Sequence, residues 1–528
     1  MPLRRRSTMR RSSDPDVIER YAADESNTFF AEGVEAVVFP EHEADVAEVL
    51  RAASASRTPV TVSGGGTGLT GARVATGGGI IMTMELMRHA EGRNGFGTVS
   101  GTHGGLEYTL AVDAAGERAW CPPAITLDAL EALLAPSLLF PPAPTERSAM
   151  IGGAVAENAS GARSFMHGAT REWIEALEIA LPTGDTLHIS RDDVTADARV
   201  LRFASREGTQ YTVSAPSYAM PDTKNAAGLF AADGMDLVDL FVGSEGLLGV
   251  VTAVLVRLTP RPTLYSDTAF FGSEEEALAC ADRLREAARA GLPLLSVEFY
   301  DPGALRFMAD HPQVKPEHEA AIFTELDADD PDTVEAFAEI VMETDPLDDW
   351  FADTDREREA QRDFRHSLPE SVNTWLRARG TDKLCTDYAV PEEAFPAMMD
   401  AYHEACDSFL QVTGRPDSSA VLFGHIGNHH LHIDFLPADA TEEDASMEQY
   451  AILAQRAIEL GGTITAEHGV GKKTLPIRGR RVPYLEVMYG PEGLEEIART
   501  KLAVDPEAIL NRGNMVPAQL LDELRKDS

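Results

Sequence analysis

The sequence predicts an α+β fold in two parts with a C-terminal segment that returns to the first. Three observations carry that expectation: a helix and strand that run into a glycine cluster near residue 64, a second mixed stretch over residues 141–260 that ends in a buried strand, and a change of texture at residue 263.

In chain order, Val46, Val49, Leu50 and Ala53 recur at helical spacing over residues 43–54, and Pro59-Val60-Thr61-Val62 then reads as a short strand. Beyond the glycines, Ile80-Ile81-Met82-Thr83-Met84 reads as another strand. Residues 250–256, Val-Val-Thr-Ala-Val-Leu-Val, have the apolar continuity of a buried strand. From 263 to 437, helical segments such as 274–290 alternate with strands such as 294–300 and 431–435, which suggests a separate α+β domain. The acidic stretches 327–332 and 345–355 read as solvated loops. Residues 494–510, followed by Asn511-Arg512-Gly513, read as a helical return. The expected organisation is a tail and lead-in at 1–30, a first domain at 31–262, a second, cap-like domain with an antiparallel sheet at 263–475, and a C-terminal helical segment at 476–528.

Composition narrows the function. The net charge is −40, and only seven of the 46 basic residues are lysine. Such self-repulsion is relieved in concentrated salt, where the Debye length falls to about 3 Å at 1 M. The composition is that of a halophilic protein, and it argues against nucleic acid as a partner. No stretch of about 18 apolar residues lacks a charge or turn signal, so no membrane span is expected. The arginine-rich first twelve residues are not followed by an apolar block and read as a disordered tail rather than a secretory signal. Cys121, Cys280, Cys385 and Cys406 are widely spaced and read as reduced thiols in a cytoplasm, with peripheral attachment at the inner membrane face as a variant. Oligomeric state is open, a homodimer included.

Ser63-Gly64-Gly65-Gly66-Thr67-Gly68-Leu69-Thr70-Gly71 follows a strand, and glycines let successive backbone N–H groups approach an anion. The next element is strand-like, which excludes a dinucleotide-binding Rossmann turn, and the absence of Gly-Lys-Ser/Thr excludes a P-loop. By itself the run is either a phosphate cradle or an ordinary turn. Two further small-residue segments follow: Gly152-Gly153 with Asn158-Ala159-Ser160-Gly161-Ala162, and Gly243-Ser244-Glu245-Gly246-Leu247-Leu248-Gly249.

At these residues the chain resembles the FAD-binding type 4 flavoproteins of the vanillyl-alcohol oxidase superfamily, over roughly residues 32–517. Within that group it is most similar to D-lactate and D-2-hydroxyglutarate dehydrogenases and the flavoprotein subunit of glycolate oxidase. The resemblance implies a two-part FAD-binding domain of the PCMH type. Gly64, Gly65, Gly66, Thr67, Gly68 and Leu69 would cradle the pyrophosphate. Gly152, Gly153, Asn158, Ser160, Gly161 and Ala162 would line the flavin, and Glu245, Gly246, Gly249 and Val250 would close the adenine side. Pro144 and Asn511 are implied as further cofactor contacts. The loop departs from the family at Ser63 and Gly68. It carries no histidine for covalent attachment, so a dissociable FAD is expected.

Gly424-His425-Ile426-Gly427-Asn428-His429-His430-Leu431-His432 holds four of the fourteen histidines. On one regular strand His425 and His432 would face opposite ways, so Gly427 is expected to bend the chain. His430 and His432 share a face. Glu467-His468-Gly469 lies further on, and two imidazoles with a carboxylate suit zinc, iron(II) or manganese, although hydrogen-bonded histidines on a polar strand would give the same pattern. The resemblance implies that His425, His432 and Glu467 hold a divalent metal and that His468 is the base. Asn428-His429-His430 departs from the family's Asp-Gly-Asn, which leaves His430 as an additional candidate ligand.

The resemblance thus implies an FAD-dependent oxidoreductase that oxidises a small D-2-hydroxy acid by hydride transfer to flavin N5, with metal assistance and with Arg365 on the substrate carboxylate. Members that take a diacid often carry lysine where this chain has Cys385, although Lys383 is near; a monocarboxylate such as D-lactate is favoured. The electron acceptor is a quinone, an electron-transfer flavoprotein, oxygen or a partner subunit. Alternatives are a flavin-dependent sugar or alcohol oxidase, a non-redox flavoprotein resembling alkyl-dihydroxyacetone-phosphate synthase, and a non-enzymatic metal-binding surface.

Overall fold

The computed structural model of the chain describes residues 9–527 apart from 91, 135, 136, 143 and 417. The first part holds two larger sheets and two two-stranded ones, Val200–Ala204 with Gln210–Ser214 and Leu138–Leu139 with Thr259–Pro260. In a four-stranded sheet Gly79–Thr83 lies between Val34–Phe39 and Val60–Ser63, parallel to both, and Arg10–Ser12 adds antiparallel to the outer side of Val34–Phe39. The beginning of the chain is therefore not all tail. Arg10 to Ser12 pair with Val37 to Phe39, and the Arg10 guanidinium lies over the Phe39 ring, so an edge strand forms from residues whose charge reads as disorder. Residues 1–8 of the expected tail lie outside the described residues.

The helix Glu43–Ser56 buries Val46, Val49, Leu50 and Ala53, the positions whose spacing predicts it, and ends where Arg57 turns left-handed at φ 56°. A second, antiparallel six-stranded sheet follows, in the order Thr186–Ser190, Ile174–Ala180, Val250–Arg257, Arg118–Cys121, Leu106–Asp113, Gly97–His103.

The cap is one antiparallel sheet. Its strands run Asp348–Ala352, Leu264–Phe271, Ala320–Asp327, Leu294–Tyr300, Ala420–His425, His430–Phe435 and Leu384–Cys385, with Tyr388–Ala389 also on His430–Phe435. Glu274–Arg289 is a helix, started by the Ser273 hydroxyl accepting from Glu276 N at 3.2 Å, and it buries Ala277, Cys280, Ala281 and Leu284 on one face. The acidic stretches are more ordered than their charge suggests. Pro331–Met342 is a helix, and Asp348–Ala352 is an edge strand, a position that tolerates outward carboxylates.

The C-terminal segment returns to the first part. Its helix, Tyr484–Val504, starts ten residues earlier than the apolar pattern suggests and is kinked at Gly490, where Pro491 opens a new turn. Ile509 and Asn511 then pair with Val60 across backbone bonds of 2.9 and 2.8 Å. Lys501, fully buried, is held by Asp505 at 2.8 Å and by the carbonyls of Leu247 and Leu510. All four cysteines are free. Among the described residues, no helix is long and apolar enough to cross a membrane.

Among the described residues, two ion pairs join the two parts, Lys224 with Glu467 and Arg163 with Glu325, and in the second Arg163 Nε and Nη2 each donate to a Glu325 carboxylate oxygen at 2.9 Å. Burial alone would raise the Glu325 carboxyl, but the guanidinium outweighs it and holds the carboxyl at about 2. Stability from this pair is therefore present above the ordinary carboxylate range and lost as pH falls toward 2. Glu325→Gln is expected to cost on the order of 3 kcal/mol in denaturant melts above about pH 5. The gap from wild type should close on acidification; a pH-independent gap would mean that the pair is not its source.

Candidate cofactor cradle and active site

Gly64, Gly152, Gly153, Glu245, Gly246, Gly249, Val250 and Asn511 line one cavity, so residues from all three small-residue segments and the C-terminal return meet in space. Gly152, Gly246 and Gly249 are required by contact, whereas a Cβ on Gly64 or Gly153 would meet nothing within 4 Å. A Cβ on Gly152 would stand 2.9 Å from Pro123 Cβ, and one on Gly246 would stand 2.5 Å from Asn511 Nδ2. Gly66 adopts φ +91°, and a Cβ there would lie 2.0 Å from Arg73 Nη1. Arg73 also lines the cavity, and Lys472 Nζ donates to Gly71 O at 3.0 Å. These two cations beside the glycine loop suit a diphosphate, and neither stood out in the sequence because each lies outside a glycine motif.

Gly65, Gly66, Thr67, Gly68 and Leu69 continue the same loop without bordering that cavity; Leu69 is exposed. Asn158 caps the helix Ile151–Glu157 in left-handed conformation and its side-chain oxygen accepts from Arg171 N at 2.9 Å, so it shapes the turn that presents Ser160, Gly161 and Ala162. Ser160 Oγ is buried with no partner. Pro144 is buried in irregular chain. Glu245 holds the C-terminal loop: its carboxylate accepts from Val470 N at 2.5 Å and Gly471 N at 2.6 Å. Asn511 accepts from Val62 N and donates to Glu245 O, both at 2.8 Å.

The bend expected at Gly427 is a complete reversal that makes the histidine segment a hairpin. Ala420–His425 and His430–Phe435 pair antiparallel through the turn Ile426–Asn428, which sets His425 opposite His430 and Phe423 opposite His432. His425 and His432 thus face one side, brought there by the turn that Gly427 centres. That glycine is also required by contact, since a Cβ would meet the Phe165 ring at 2.7 Å. The Ser164 hydroxyl donates to Asn428 Oδ1 at 3.0 Å, so the segment that follows the second glycine cluster touches the hairpin. His429 turns away and packs on Phe395.

Glu467 Oε1 lies 3.4 Å from both His425 Nε2 and His432 Nε2. Bonds of about 2.0–2.2 Å at angles of about 90–110° put ligand atoms about 3.0–3.5 Å apart, so both glutamate–histidine separations suit a shared divalent metal; the ligand atoms of the whole group lie within 4.8 Å of one another. His430 belongs to the same group. It is fully buried, and neither ring nitrogen makes a hydrogen bond, although Nε2 stands 3.0 Å from Asp387 Oδ1. Burial lowers His425, but Glu298 and Glu467 outweigh it and raise the imidazole to about 9; the potential here favours positive charge. Glu298 accepts from His425 Nδ1 at 2.8 Å and so aims Nε2 at Glu467.

His468 lies beside this group, its ring stacked on His432 at 5.4 Å and its Nε2 3.6 Å from Glu467 Oε1. Burial pushes its imidazole down despite Asp387, which keeps the ring neutral at neutral pH. Asp387 fixes the loop by accepting from His468 N at 2.8 Å, Glu467 N at 3.2 Å and Thr465 Oγ1 at 2.7 Å. Arg365 enters from the helix Asp355–Arg377, 3.4 Å from Glu298 and over the Phe323 ring. One cation was not foreseen as part of the site: Lys224, outside any histidine motif, donates to Glu467 Oε2 at 2.7 Å. Lys383, noted beside Cys385 in the sequence, is held by buried Asp434 at 3.0 Å.

Residues 34–190 match the FAD binding domain family, and residues 267–515 match the family described as FAD linked oxidases, C-terminal domain. The chain is 28% identical over 495 residues to glycolate oxidase subunit GlcD of Bacillus subtilis (strain 168), covering 91% of this chain and 88% of that one. It is 28% identical over 485 residues to a D-lactate dehydrogenase of Archaeoglobus fulgidus, covering 91% of each. It is 26% identical over 524 residues to a D-2-hydroxyglutarate dehydrogenase of Stutzerimonas stutzeri (strain A1501), covering 96% of each. A solved structure of alkyldihydroxyacetonephosphate synthase superposes with a TM-score of 0.61 at 13% identity, over 95% of this chain and 81% of that one, a likeness of fold.

Asn511→Leu is expected to orphan Val62 N–H, at about 1–3 kcal/mol, and to leave Glu245 C=O with only the 3.5 Å bond from Asn514 Nδ2. Denaturant melts should show the loss, and the purified variant should retain less flavin per chain than wild type.

Proposed function

We propose, for a chain that belongs to the FAD-linked oxidases, that it oxidises a small D-2-hydroxy acid of the D-lactate type to the 2-oxo acid. The observation that carries this reading is the convergence of His425, His432, Glu467 and the neutral His468 beside the flavin-lining segment, with Arg365 at the edge of the same cluster. FAD, when bound, supplies the acceptor for the two electrons that leave substrate C2. His425, His432 and Glu467, with His430 at hand, would hold a divalent metal, which supplies Lewis-acid polarisation of the substrate oxygen.

The protein's own groups divide the remaining work. Arg365 presents a planar fork to the substrate carboxylate. His468 takes the hydroxyl proton at a ring nitrogen, assistance worth about 10² to 10⁴ in rate. Lys224 holds the far oxygen of Glu467, leaving the near one toward the histidines. Glu298 does the same for His425 from behind. Lys383 is neutralised by Asp434, and Cys385 stands beside His432, which supports a monocarboxylate over a diacid. The net charge of −40 supports a protein adapted to concentrated salt.

The test is anaerobic addition of D-lactate, L-lactate, glycolate and D-2-hydroxyglutarate to the purified flavoprotein in molar salt. D-lactate is expected to bleach the flavin band near about 450 nm, with the rate lowered about 10² to 10⁴-fold by His468→Ala and abolished by chelator. A yellow protein that none of the acids bleaches would sink the 2-hydroxy acid reading and favour a sugar or alcohol oxidase or a non-redox flavoprotein. Separately, thermal melts at falling salt should show Tm dropping steadily from 2 M to about 0.1 M; a salt-independent Tm would remove the halophilic assignment.

A further inference from the structure

The cap sheet has two faces, and the proposed chemistry uses one. In the register of Leu264–Phe271 with Ala320–Asp327, Ser266 stands opposite Glu325 and faces the helix Asp355–Arg377, as its bond to Gln361 shows. Its neighbour Asp267 stands opposite Thr324 and faces the other way, toward the helix Pro331–Met342. Between that helix and the edge strand Asp348–Ala352 lies a cavity of about 420 Å³.

Asp267, at the floor of this cavity, is 2% exposed, and its Oδ1 has no hydrogen-bond partner. The hydroxyl of Thr324, its cross-strand neighbour, is also buried and unpartnered. A second carboxylate, Asp349, lines the cavity from the edge strand, and it and Glu335 are both at the exposed rim. Burial and the adjacent Asp349 raise the Asp267 carboxyl well above the usual range. The walls are aromatic and aliphatic: Tyr265 and Phe351 stack at 5.8 Å, and Phe337 closes the inner side. Among the described residues that line it there is no lysine, arginine or histidine.

Asp267 and Asp349 meet side chain to side chain against an apolar wall, and a cation at that point would offset both the desolvation of Asp267 and the repulsion between the two carboxylates. A water cluster would fill the polar floor but leave three rings and an aliphatic helix face wetted. Carboxylates beside ring faces are the chemistry that holds organic ammonium groups, and the volume is at the scale of a single-ring ligand. We propose that this cavity is a binding site for a small organic ammonium ion, its nitrogen on Asp267 and Asp349 and its apolar body against Tyr265, Phe337 and Phe351. The site is separate from the histidine cluster, on the opposite face of the sheet, and does not depend on the substrate assigned above.

The full-length flavoprotein, titrated calorimetrically in the salt that keeps it folded, is the test. Benzylammonium is expected to bind saturably at one site per chain, benzyl alcohol at least tenfold more weakly, and benzoate not at all. Asp267→Asn should weaken benzylammonium at least tenfold. Ala338→Phe, which fills the cavity from the helix and leaves the carboxylates in place, should abolish binding while the visible flavin spectrum stays unchanged. Equal binding of benzylammonium and benzyl alcohol would make this an apolar cavity only and overturn the proposal. So would absence of binding, binding that both variants retain, or displacement of benzylammonium by millimolar potassium against a sodium background, which would mark an inorganic cation site.

Discussion

The hold of the Glu245 carboxylate on the backbone N–H groups of Val470 and Gly471 is the interaction on which the rest of the site depends. Gly471 is crowded from three directions. Its Cβ position is 2.1 Å from Thr70 O, its carbonyl accepts from Met515 N at 2.7 Å, and its N–H is taken by Glu245. The glycine loop, the third cradle segment and the C-terminal return therefore meet at one residue with φ +53°, where a side chain would be excluded by both strain and space. At the other end of the same short loop Asp387 receives the N–H groups of Glu467 and His468. One buried carboxylate fixes the loop to the cofactor side and another fixes it to the cap, so the candidate base and metal ligand are positioned by backbone hydrogen bonds rather than by their own side-chain packing.

Around that loop the charges cancel in pairs: Lys224 with Glu467, Lys383 with Asp434, Arg365 with Glu298, Arg163 with Glu325. Desolvating so many ions is tolerable only because each has an opposite charge within hydrogen-bond or near-contact range. The arrangement also orders the cluster, since Glu298 touches both Arg365 and His425 and so couples the carboxylate-binding candidate to a metal-ligand candidate.

Much of the cradle was legible because its requirements are local. Gly152 and Gly246 are needed where backbone meets Pro123 or Asn511, and a glycine run announces such closeness directly. The helix Glu43–Ser56 was legible because burial of Val46, Leu50 and Ala53 imposes a period on neighbouring positions. What escaped were partners supplied from a distance. Arg73, Lys224, Lys472 and Asp387 act through tertiary contacts that leave no period or motif. The shared side of His425 and His432 was legible as a bend required at Gly427, but its form, a full reversal into two paired strands, was not, because strand ends leave no period. Arg10–Ser12 and Asp348–Ala352 escaped because edge strands need no apolar face of their own.

The return of the C-terminal segment to Val60 has a consequence for how the protein comes into being. Ile509 and Asn511 complete the strand that carries the glycine loop, and Met515 closes on Gly471. The cofactor site is thus assembled from residues separated by some 450 positions of chain, as the Val62 to Asn511 bond records. During synthesis the first domain waits, its cradle open, until almost the whole sequence has emerged, and contacts of such span form late because their loop-closure entropy must be met first. A cradle built from these contacts would be completed only at the end of synthesis, and a chain shortened before residue 509 would lack the Ile509 and Asn511 bonds to the strand that carries the glycine loop.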